Sequence, residues 1–187
     1  MTADYIPTKP DRNDHTVMSH DDYTKIIEHW GFQILYNPPG DGNCQFAALA
    51  HHLNTLGIFR SPETMREEIV DYLQNNPVDN DGFPLLQHLV DSEFLSWQEY
   101  LQYMARKNTF GDKLTSFAAA NLYNIDIQTV STLGAGAQHV FHPSSSIPIA
   151  TIYLSHFAAN HGEHYVSLIP EFNNDTSALD DHTGQQW

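Results

Sequence analysis

The sequence predicts an α+β fold in which helices flank a small central β-sheet. Helical patterns dominate the earlier part of the chain, whereas β-branched or alternating segments gather toward its C-terminus. Helices that come first and strands that come later are typical of helices packed on one sheet. A chain of 187 residues suggests one domain, and it is long enough to bury a real core.

The N-terminal part of the pattern predicts one helix and one strand. Ser19 and Asp22 resemble a capping box, and Gly31 ends the helix that follows. The apolar residues of this helix recur at helical spacing, at Tyr23, Ile26, Ile27 and Trp30. Phe32–Tyr36 is a candidate strand that could pair with the C-terminal strands.

Four further helices are predicted in the middle of the chain. The second runs from Cys44 to about Leu56, with Gly57 just beyond it. The third begins at Ser61-Pro62-Glu63 and turns apolar residues inward, at Met65, Ile69, Tyr72 and Leu73. The last two are expected at residues 93–106 and 112–123.

The remaining strands are expected near the C-terminus. Three β-branched or alternating segments carry this prediction, at Ile125–Val130, Ile147–Leu154 and His164–Ile169, and Pro170 closes the last one. Residues 131–146 are loop-like around a possible short strand at 138–141. We therefore expect one folded domain over residues 19–171, between polar tails at 1–18 and 172–187.

Charge and cysteine content restrict the classes of partner and compartment. Eight Lys+Arg against 23 Asp+Glu give a formal net charge of −15, so nucleic acid is not expected as a partner. The balance is compatible with a basic protein partner, and equally with an acidic surface that keeps the protein soluble. Apolar runs stay below the roughly 18 residues that a membrane helix needs, so no membrane association is expected.

The single cysteine, Cys44, excludes an intramolecular disulfide. This fits a reducing compartment, which would be the cytoplasm, or a host cytoplasm for an exported effector. A lone cysteine is most often a small buried hydrophobic residue, so its neighbours decide whether it carries chemistry.

The neighbours of Cys44 favour a nucleophile. The segment that starts at Asn37, Asn-Pro-Pro-Gly-Asp-Gly-Asn-Cys-Gln-Phe, leads a turn-forming run onto the first residue of a helix. A helix N-terminus favours thiolate over thiol. The backbone N–H groups that converge there could stabilise an oxyanion, and they belong to Asp41, Gly42, Asn43 and Cys44. Taken alone, Gly-Asp-Gly-Asn is also a common structural turn.

His164 is the candidate general base. It opens an alternating strand, Glu163-His164-Tyr165-Val166-Ser167, and is therefore expected to be held rigidly toward one face. Such an imidazole can take a proton from a thiol and later return it to a leaving amine. The chain has twelve histidines, most of which must have no catalytic role.

These motifs together resemble the ovarian-tumour (OTU) family of cysteine proteases. Asp41-Gly42-Asn43-Cys44-x-Phe46 looks like the nucleophile motif of the family, and His164-Tyr165-x-Ser167 looks like its histidine motif. Between them, Thr109-Phe110-Gly111-Asp112 and the helix that follows resemble the family's middle region. The order and spacing agree from about residue 19 to 170.

The resemblance implies a papain-like fold, a catalytic domain over residues 19–171 and a deubiquitinase activity. Cys44 would be the nucleophile, His164 the base and Asp41 the acidic position of the catalytic loop. The reaction would cleave isopeptide or peptide bonds after the C-terminal glycine of ubiquitin or a ubiquitin-like modifier, through a thioester. The implied partners are ubiquitin or polyubiquitin chains, and neither a metal nor another cofactor is implied.

One position departs from the family pattern. Many members place Asn or Asp two residues after the histidine, where it orients the imidazole, and here that residue is Val166. Because residues 164 and 166 share a face of a strand, an orienting acceptor is missing where one is expected. Asp41 is the candidate to replace it, with Asn43, a backbone carbonyl or a water as alternatives. Phe110 also replaces the usual Trp and keeps an aromatic anchor.

Three alternatives remain open at the level of sequence. Val166 is compatible with a catalytically weak ubiquitin-binding module that keeps the fold. The chemistry could also serve a cysteine protease acting on a different substrate. Finally, His156, His161 and His164 lie close together, as do His51 and His52, but Cys-x-x-Cys and His-Glu-x-x-His motifs are missing from the sequence.

Overall fold

The computed structural model describes residues 20–89, 94–132, 137–145, 147–157 and 164–171. The predicted tails at 1–18 and 172–187 lie outside the described residues, as does the predicted cap at Ser19.

The helices and strands alternate little along the chain. Within the described residues their order is α1 (His20–His29), β1 (Phe32–Tyr36), α2 (Cys44–Thr55), α3 (Pro62–Asn75), a short 3₁₀ helix (Leu85–Leu89), α4 (Trp97–Met104), α5 (Lys113–Tyr123), β2 (Asp126–Ser131), β3 (Ala137–Phe141), β4 (Thr151–Phe157) and β5 (His164–Pro170). The predicted α+β class and the closing of the last strand at Pro170 are confirmed.

The five strands form one mixed sheet in the order β1-β5-β4-β2-β3. Strands β2 and β4 run parallel, and the other neighbouring pairs are antiparallel. The pairing of β1 with β5 sets Tyr36 opposite Ser167, so the residues that follow β1 lie beside the first residues of β5. This register brings the loop that leads to Cys44 next to His164.

Apolar clusters cover both faces of the sheet. The larger cluster packs helices α2 to α5 on one face, and Ser167 of β5 donates a hydrogen bond from its hydroxyl to the Ala48 carbonyl of α2 at 2.9 Å. The smaller cluster packs α1 on the other face and consists of Tyr23, Ile27, Val130, Phe157, Val166 and Leu168. The prediction of a small sheet flanked by helices is therefore confirmed.

The two largest errors in the predicted boundaries have local reasons. Strand β4 was expected at 147–154 but begins at Thr151. The residues before it bond instead to Asn124, which accepts from Ile149 N at 2.8 Å and donates from its side chain to the Ile147 carbonyl at 3.0 Å. Helix α4 was expected from residue 93 but begins at Trp97, because Ser96 caps it by accepting from Glu99 N at 3.1 Å.

Among the described residues, no helix combines the length and the apolar character needed to cross a membrane.

We expect Val166→Asn to destabilise the fold. Val166 is fully buried in the cluster beneath α1. An amide buried there would lose its hydration without gaining partners, at a cost of about 2 kcal/mol or more. Urea unfolding measures this cost. Ile169→Asn is the matched control, because Ile169 lies on the same strand and is 40% exposed. Equal unfolding midpoints for the two variants would contradict the packing described here.

Candidate active site

Cys44 is the first residue of α2 and is almost completely buried, with 1% of its surface exposed. The backbone N–H of Tyr165 hydrogen-bonds its sulfur, which therefore lies beside the first residues of β5. The predicted meeting of the Cys44 and His164 segments is thus seen in the structure, at the end of α2 that faces the start of β5.

Burial changes the protonation of the thiol. Burial raises the pKa of Cys44 to about 11. The backbone N–H groups of Tyr165, Gln45 and Cys44 itself oppose this shift and lower the pKa by a smaller amount. The carboxylate of Asp41 adds a smaller upward contribution to this pKa. The resting group is therefore a thiol, although the helix N-terminus alone favours a thiolate. A nucleophile at this position needs a base that removes its proton.

His164 supplies a neutral imidazole one residue before Tyr165, whose backbone N–H bonds the Cys44 thiol. It opens β5 and is 5% exposed. Burial lowers the pKa of His164, and the nearby Asp41 carboxylate raises it by a smaller amount. Because the ring is then uncharged at neutral pH, it can accept a proton.

Asn37 decides which ring nitrogen accepts. The side-chain Oδ1 of Asn37 lies 2.6 Å from His164 Nε2. A carboxamide oxygen can only accept a hydrogen bond, so Nε2 carries the proton and donates it. Nδ1 consequently keeps its lone pair, and it has no hydrogen-bond partner among the described residues although it is buried. Nδ1 is therefore the ring atom left to take a proton.

Sequence reasoning missed this role of Asn37. The residue was read only as the start of a turn-forming run, and Asp41 was expected to hold the imidazole. A usable signal was the pairing of β1 with the last strand, which sets the end of β1 beside the start of β5. The residue before a proline is also held extended, which carries Asn37 along β5 rather than away from it.

Asp41 lies in the loop before α2, and its carboxylate bonds a backbone N–H of that loop. Its Oδ1 accepts from the backbone N of Asn43 at 2.9 Å, which tightens the turn before α2. The predicted orienting bond to His164 is thus made by Asn37 in place of Asp41. The carboxylate charge of Asp41 still acts on both Cys44 and His164, and its participation in catalysis stays a prediction.

Most of the N–H groups predicted to form the oxyanion hole already donate to acceptors within their own loop. Asp41 N donates to the Pro39 carbonyl at 2.8 Å, and Asn43 N donates to the Asp41 side chain. Cys44 N donates to the Asp41 carbonyl at 3.2 Å, a long bond. Among the described residues, Gly42 N has no acceptor. Of the four predicted donors, Gly42 is therefore the one that is free to meet a developing negative charge.

The residue after Cys44 anchors α2 to α5. Gln45 Nε2 donates to the Asp112 carbonyl at 3.0 Å and to Ser116 Oγ at 3.1 Å, and its Oε1 accepts from Thr115 Oγ1 at 2.5 Å. A side chain at Gly111 would come within 2.0 Å of Gln45 Oε1. The Gly111-Asp112 pair noted in the sequence is thus needed for a close contact that fixes the start of α2.

The other histidines named in the sequence do not share this arrangement. His156 pairs across the ladder with Tyr165, so its side chain points to the opposite face from His164. Its Nδ1 lies 3.0 Å from Ser131 Oγ, and burial lowers its pKa to about 4. His161 lies outside the described residues. Within the described part of the chain, His, Cys, Asp and Glu side chains form no group of three suited to a metal ion.

Comparison with known proteins gives the family of the chain. Residues 39–165 match the family model described as OTU-like cysteine protease. The chain is 28% identical over 174 residues to "OVARIAN TUMOR DOMAIN-containing deubiquitinating enzyme 10" of Arabidopsis thaliana, covering 93% of this chain and 44% of that protein. It is 26% identical over 151 residues to "Ubiquitin thioesterase otu2" of Schizosaccharomyces pombe, covering 79% of this chain and 48% of that protein. The chain thus spans less than half the length of these two relatives.

A solved structure supports the same fold. The OTU deubiquitinase from Wolbachia pipientis wMel bound to ubiquitin superposes with a TM-score of 0.53 at 14% sequence identity, covering 75% of this chain and 97% of that chain. The papain-like architecture expected from the motifs is therefore confirmed at the level of fold.

Changing Asn37 is expected to alter the pH dependence of Cys44 reactivity. Asn37→Asp places a carboxylate beside His164 Nε2, and its negative charge raises the pKa of His164. The acid limb of the pH–rate profile then moves to higher pH, since only neutral His164 accepts a proton. Asn37→Ala should lower the rate by about tenfold or more. The measurement is the rate of iodoacetamide alkylation of the single cysteine between pH 5 and pH 8.

Asp41→Ala is the matched control in the same loop. Removing its carboxylate lowers the pKa of His164, because that charge raises it in the wild type. The acid limb should therefore move in the opposite direction. An Asn37→Ala protein that alkylates like the wild type at every pH would show that Asn37 does not orient the imidazole.

Proposed function

Because the chain belongs to the family of OTU-like cysteine proteases, we propose that it is a deubiquitinase. It hydrolyses isopeptide or peptide bonds after the C-terminal glycine of ubiquitin or a ubiquitin-like modifier. The observation that carries the proposal is the protonation pattern of His164: Nε2 bonds Asn37, and Nδ1 has no partner among the described residues, while the next residue, Tyr165, bonds the Cys44 thiol through its backbone N–H.

The reaction follows from this geometry. Nδ1 of His164 takes the proton of the Cys44 thiol as the sulfur attacks the carbonyl carbon of the terminal glycine. The carbonyl oxygen becomes an oxyanion that Gly42 N–H can meet. The C–N bond then breaks, and the amine leaves with the proton that His164 returns. Water, deprotonated by the same imidazole, hydrolyses the resulting thioester and frees Cys44.

Both shifted groups favour an uncharged resting pair. A thiol whose pKa is raised and an imidazole whose pKa is lowered hold the proton on sulfur until a substrate carbonyl is present. Proton transfer is therefore coupled to attack, and Asn37 stabilises the imidazolium that forms by accepting from Nε2–H. This is general-base activation, with no preformed thiolate–imidazolium pair.

The names of related proteins support the substrate class. The Arabidopsis and Schizosaccharomyces relatives are named a deubiquitinating enzyme and a ubiquitin thioesterase, and the Wolbachia structure contains bound ubiquitin. The net charge of −15 suits a partner with a basic face. The alternative of a catalytically weak binding module depended on Val166, and Asn37 removes that reason because it supplies the acceptor that Val166 lacks.

We expect Cys44→Ala and His164→Ala to lose hydrolysis while the fold is kept. The first variant removes the nucleophile, and the second removes its base. Release of a fluorophore from the C-terminus of ubiquitin, and of ubiquitin-like modifiers in parallel, measures the activity. His142→Ala is the matched control, since His142 is exposed after β3 and bonds Asp126 at 2.9 Å, and it should keep most of the wild-type rate.

Two outcomes would contradict the proposal. Hydrolysis that survives Cys44→Ala would exclude a cysteine protease. A wild type that cleaves none of the modifiers, and is not captured by ubiquitin carrying a C-terminal electrophile, would exclude the proposed substrate class.

A further inference from the structure

Arg66 is a buried cation that hydrogen-bonds the catalytic loop, which is the segment of residues 37–43 before α2. It lies on α3 and is 5% exposed. One terminal nitrogen donates to the Gly42 carbonyl at 3.0 Å, to Asn43 Oδ1 at 2.7 Å and to the Thr109 carbonyl at 2.7 Å. The other donates to the Met104 carbonyl at 2.9 Å. Its oxygen acceptors are thus three backbone carbonyls and one side-chain amide, and the Met104 sulfur lies 3.9 Å from the same nitrogen that bonds the Met104 carbonyl.

The core gains little from a charge at this position. Among the described residues, Arg66 forms no ion pair with a carboxylate, and its guanidinium stacks 4.0 Å from the centre of the Phe46 ring. A buried charge is costly to desolvate, and an apolar side chain of similar volume often stabilises a core as well or better. The hydrogen bonds of the guanidinium therefore matter for the loops they hold.

Those bonds join the catalytic loop to the segment after α4. Asn108 sits in the left-handed region with φ of 63° and accepts from Asn43 Nδ2 at 2.7 Å. The backbone of Gly42 packs so closely on Asn108 that a Cβ at Gly42 would meet its carbonyl oxygen at 1.7 Å. Arg66 binds both sides of this contact, at Gly42 and at Thr109.

The Gly42 carbonyl determines the direction of its peptide plane. In a trans peptide the C=O and N–H groups point opposite ways, so a Gly42 carbonyl held by Arg66 turns Asn43 N–H away, toward the Asp41 side chain. Gly42 N–H, in the preceding plane, is left without an acceptor among the described residues. The guanidinium thus sets the shape of the loop that carries the one free donor.

We propose that Arg66 is a positioning residue for acyl transfer, which holds the Gly42–Asn43 peptide so that Gly42 N–H meets the oxyanion formed when Cys44 attacks a carbonyl. This inference rests on the acyl-transfer chemistry proposed above and not on the identity of the substrate.

Two reactions of Cys44 separate this role from a purely structural one. Acylation by p-nitrophenyl acetate forms the S–C bond through an oxyanion and breaks the ester C–O bond; p-nitrophenolate leaves, and His164 takes the thiol proton. Alkylation by iodoacetamide displaces iodide and forms no oxyanion. Cys44 is the only cysteine of the 187-residue chain, so the part of each rate that is lost in Cys44→Ala reports on one thiol.

We expect Arg66→Lys and Arg66→Met to lower the acylation rate by about tenfold or more, as the loss of an oxyanion donor does. Alkylation of Arg66→Lys should stay within about twofold of the wild type, because lysine keeps the positive charge that acts on Cys44 and Asp41. Arg60→Lys is the matched control: Arg60 precedes α3 and bonds Glu68 at 2.9 Å, away from the catalytic loop. It should leave both rates unchanged.

The remaining outcomes overturn the inference. In Arg66→Lys, which keeps the charge, both rates falling together, or neither falling, would show that Arg66 does not act through the oxyanion. Loss of the folded circular dichroism spectrum in both Arg66 variants would assign the guanidinium to the fold alone. The experiment uses no ubiquitin, so a wild type that is acylated but does not cleave ubiquitin refutes the proposed substrate and leaves the Arg66 comparison intact.

Discussion

The hydrogen bond between Asn37 Oδ1 and His164 Nε2 governs the chemistry of the site. An imidazole has two nitrogens that can exchange roles, and the bond removes that freedom by keeping the proton on Nε2. Nδ1 is then a base without a hydrogen-bond partner among the described residues, and the neighbouring Tyr165 N–H bonds the protonated thiol of Cys44. The bond exists because antiparallel pairing of β1 with β5 carries the segment after β1 alongside the first residues of β5.

Burial accounts for the protonation states of Cys44 and His164, and it explains why hydrogen bonds from two side chains fix the segment around Cys44. With 1% of Cys44 exposed, water stabilises neither the thiolate nor the imidazolium, so the neutral pair persists until reaction. The protein compensates with fixed donors in place of solvent. Gln45 ties the start of α2 to α5, and Arg66 ties the turn before it to the segment after α4. These two sets of hydrogen bonds fix the start of α2 and the turn before it.

Most of the fold was predictable because its signals are local. Apolar periodicity and caps predicted the helices, and the two motifs predicted Cys44 and His164. Asn37 could not be found this way, since its bond joins residues 127 positions apart and its importance depends on strand pairing. It also lies just outside the 39–165 range that matches the family model. Strand β4 was misplaced for a similar reason, because Asn124 draws the preceding residues out of the ladder.

The most direct test of this account is the tautomer of His164. Nitrogen-15 NMR of the imidazoles, with His164→Gln used to assign the resonances, reports which ring nitrogen carries the proton at neutral pH. We expect a neutral ring protonated on Nε2, and loss of that preference in Asn37→Ala. A neutral ring protonated on Nδ1, or a doubly protonated ring at pH 7.5, would contradict it.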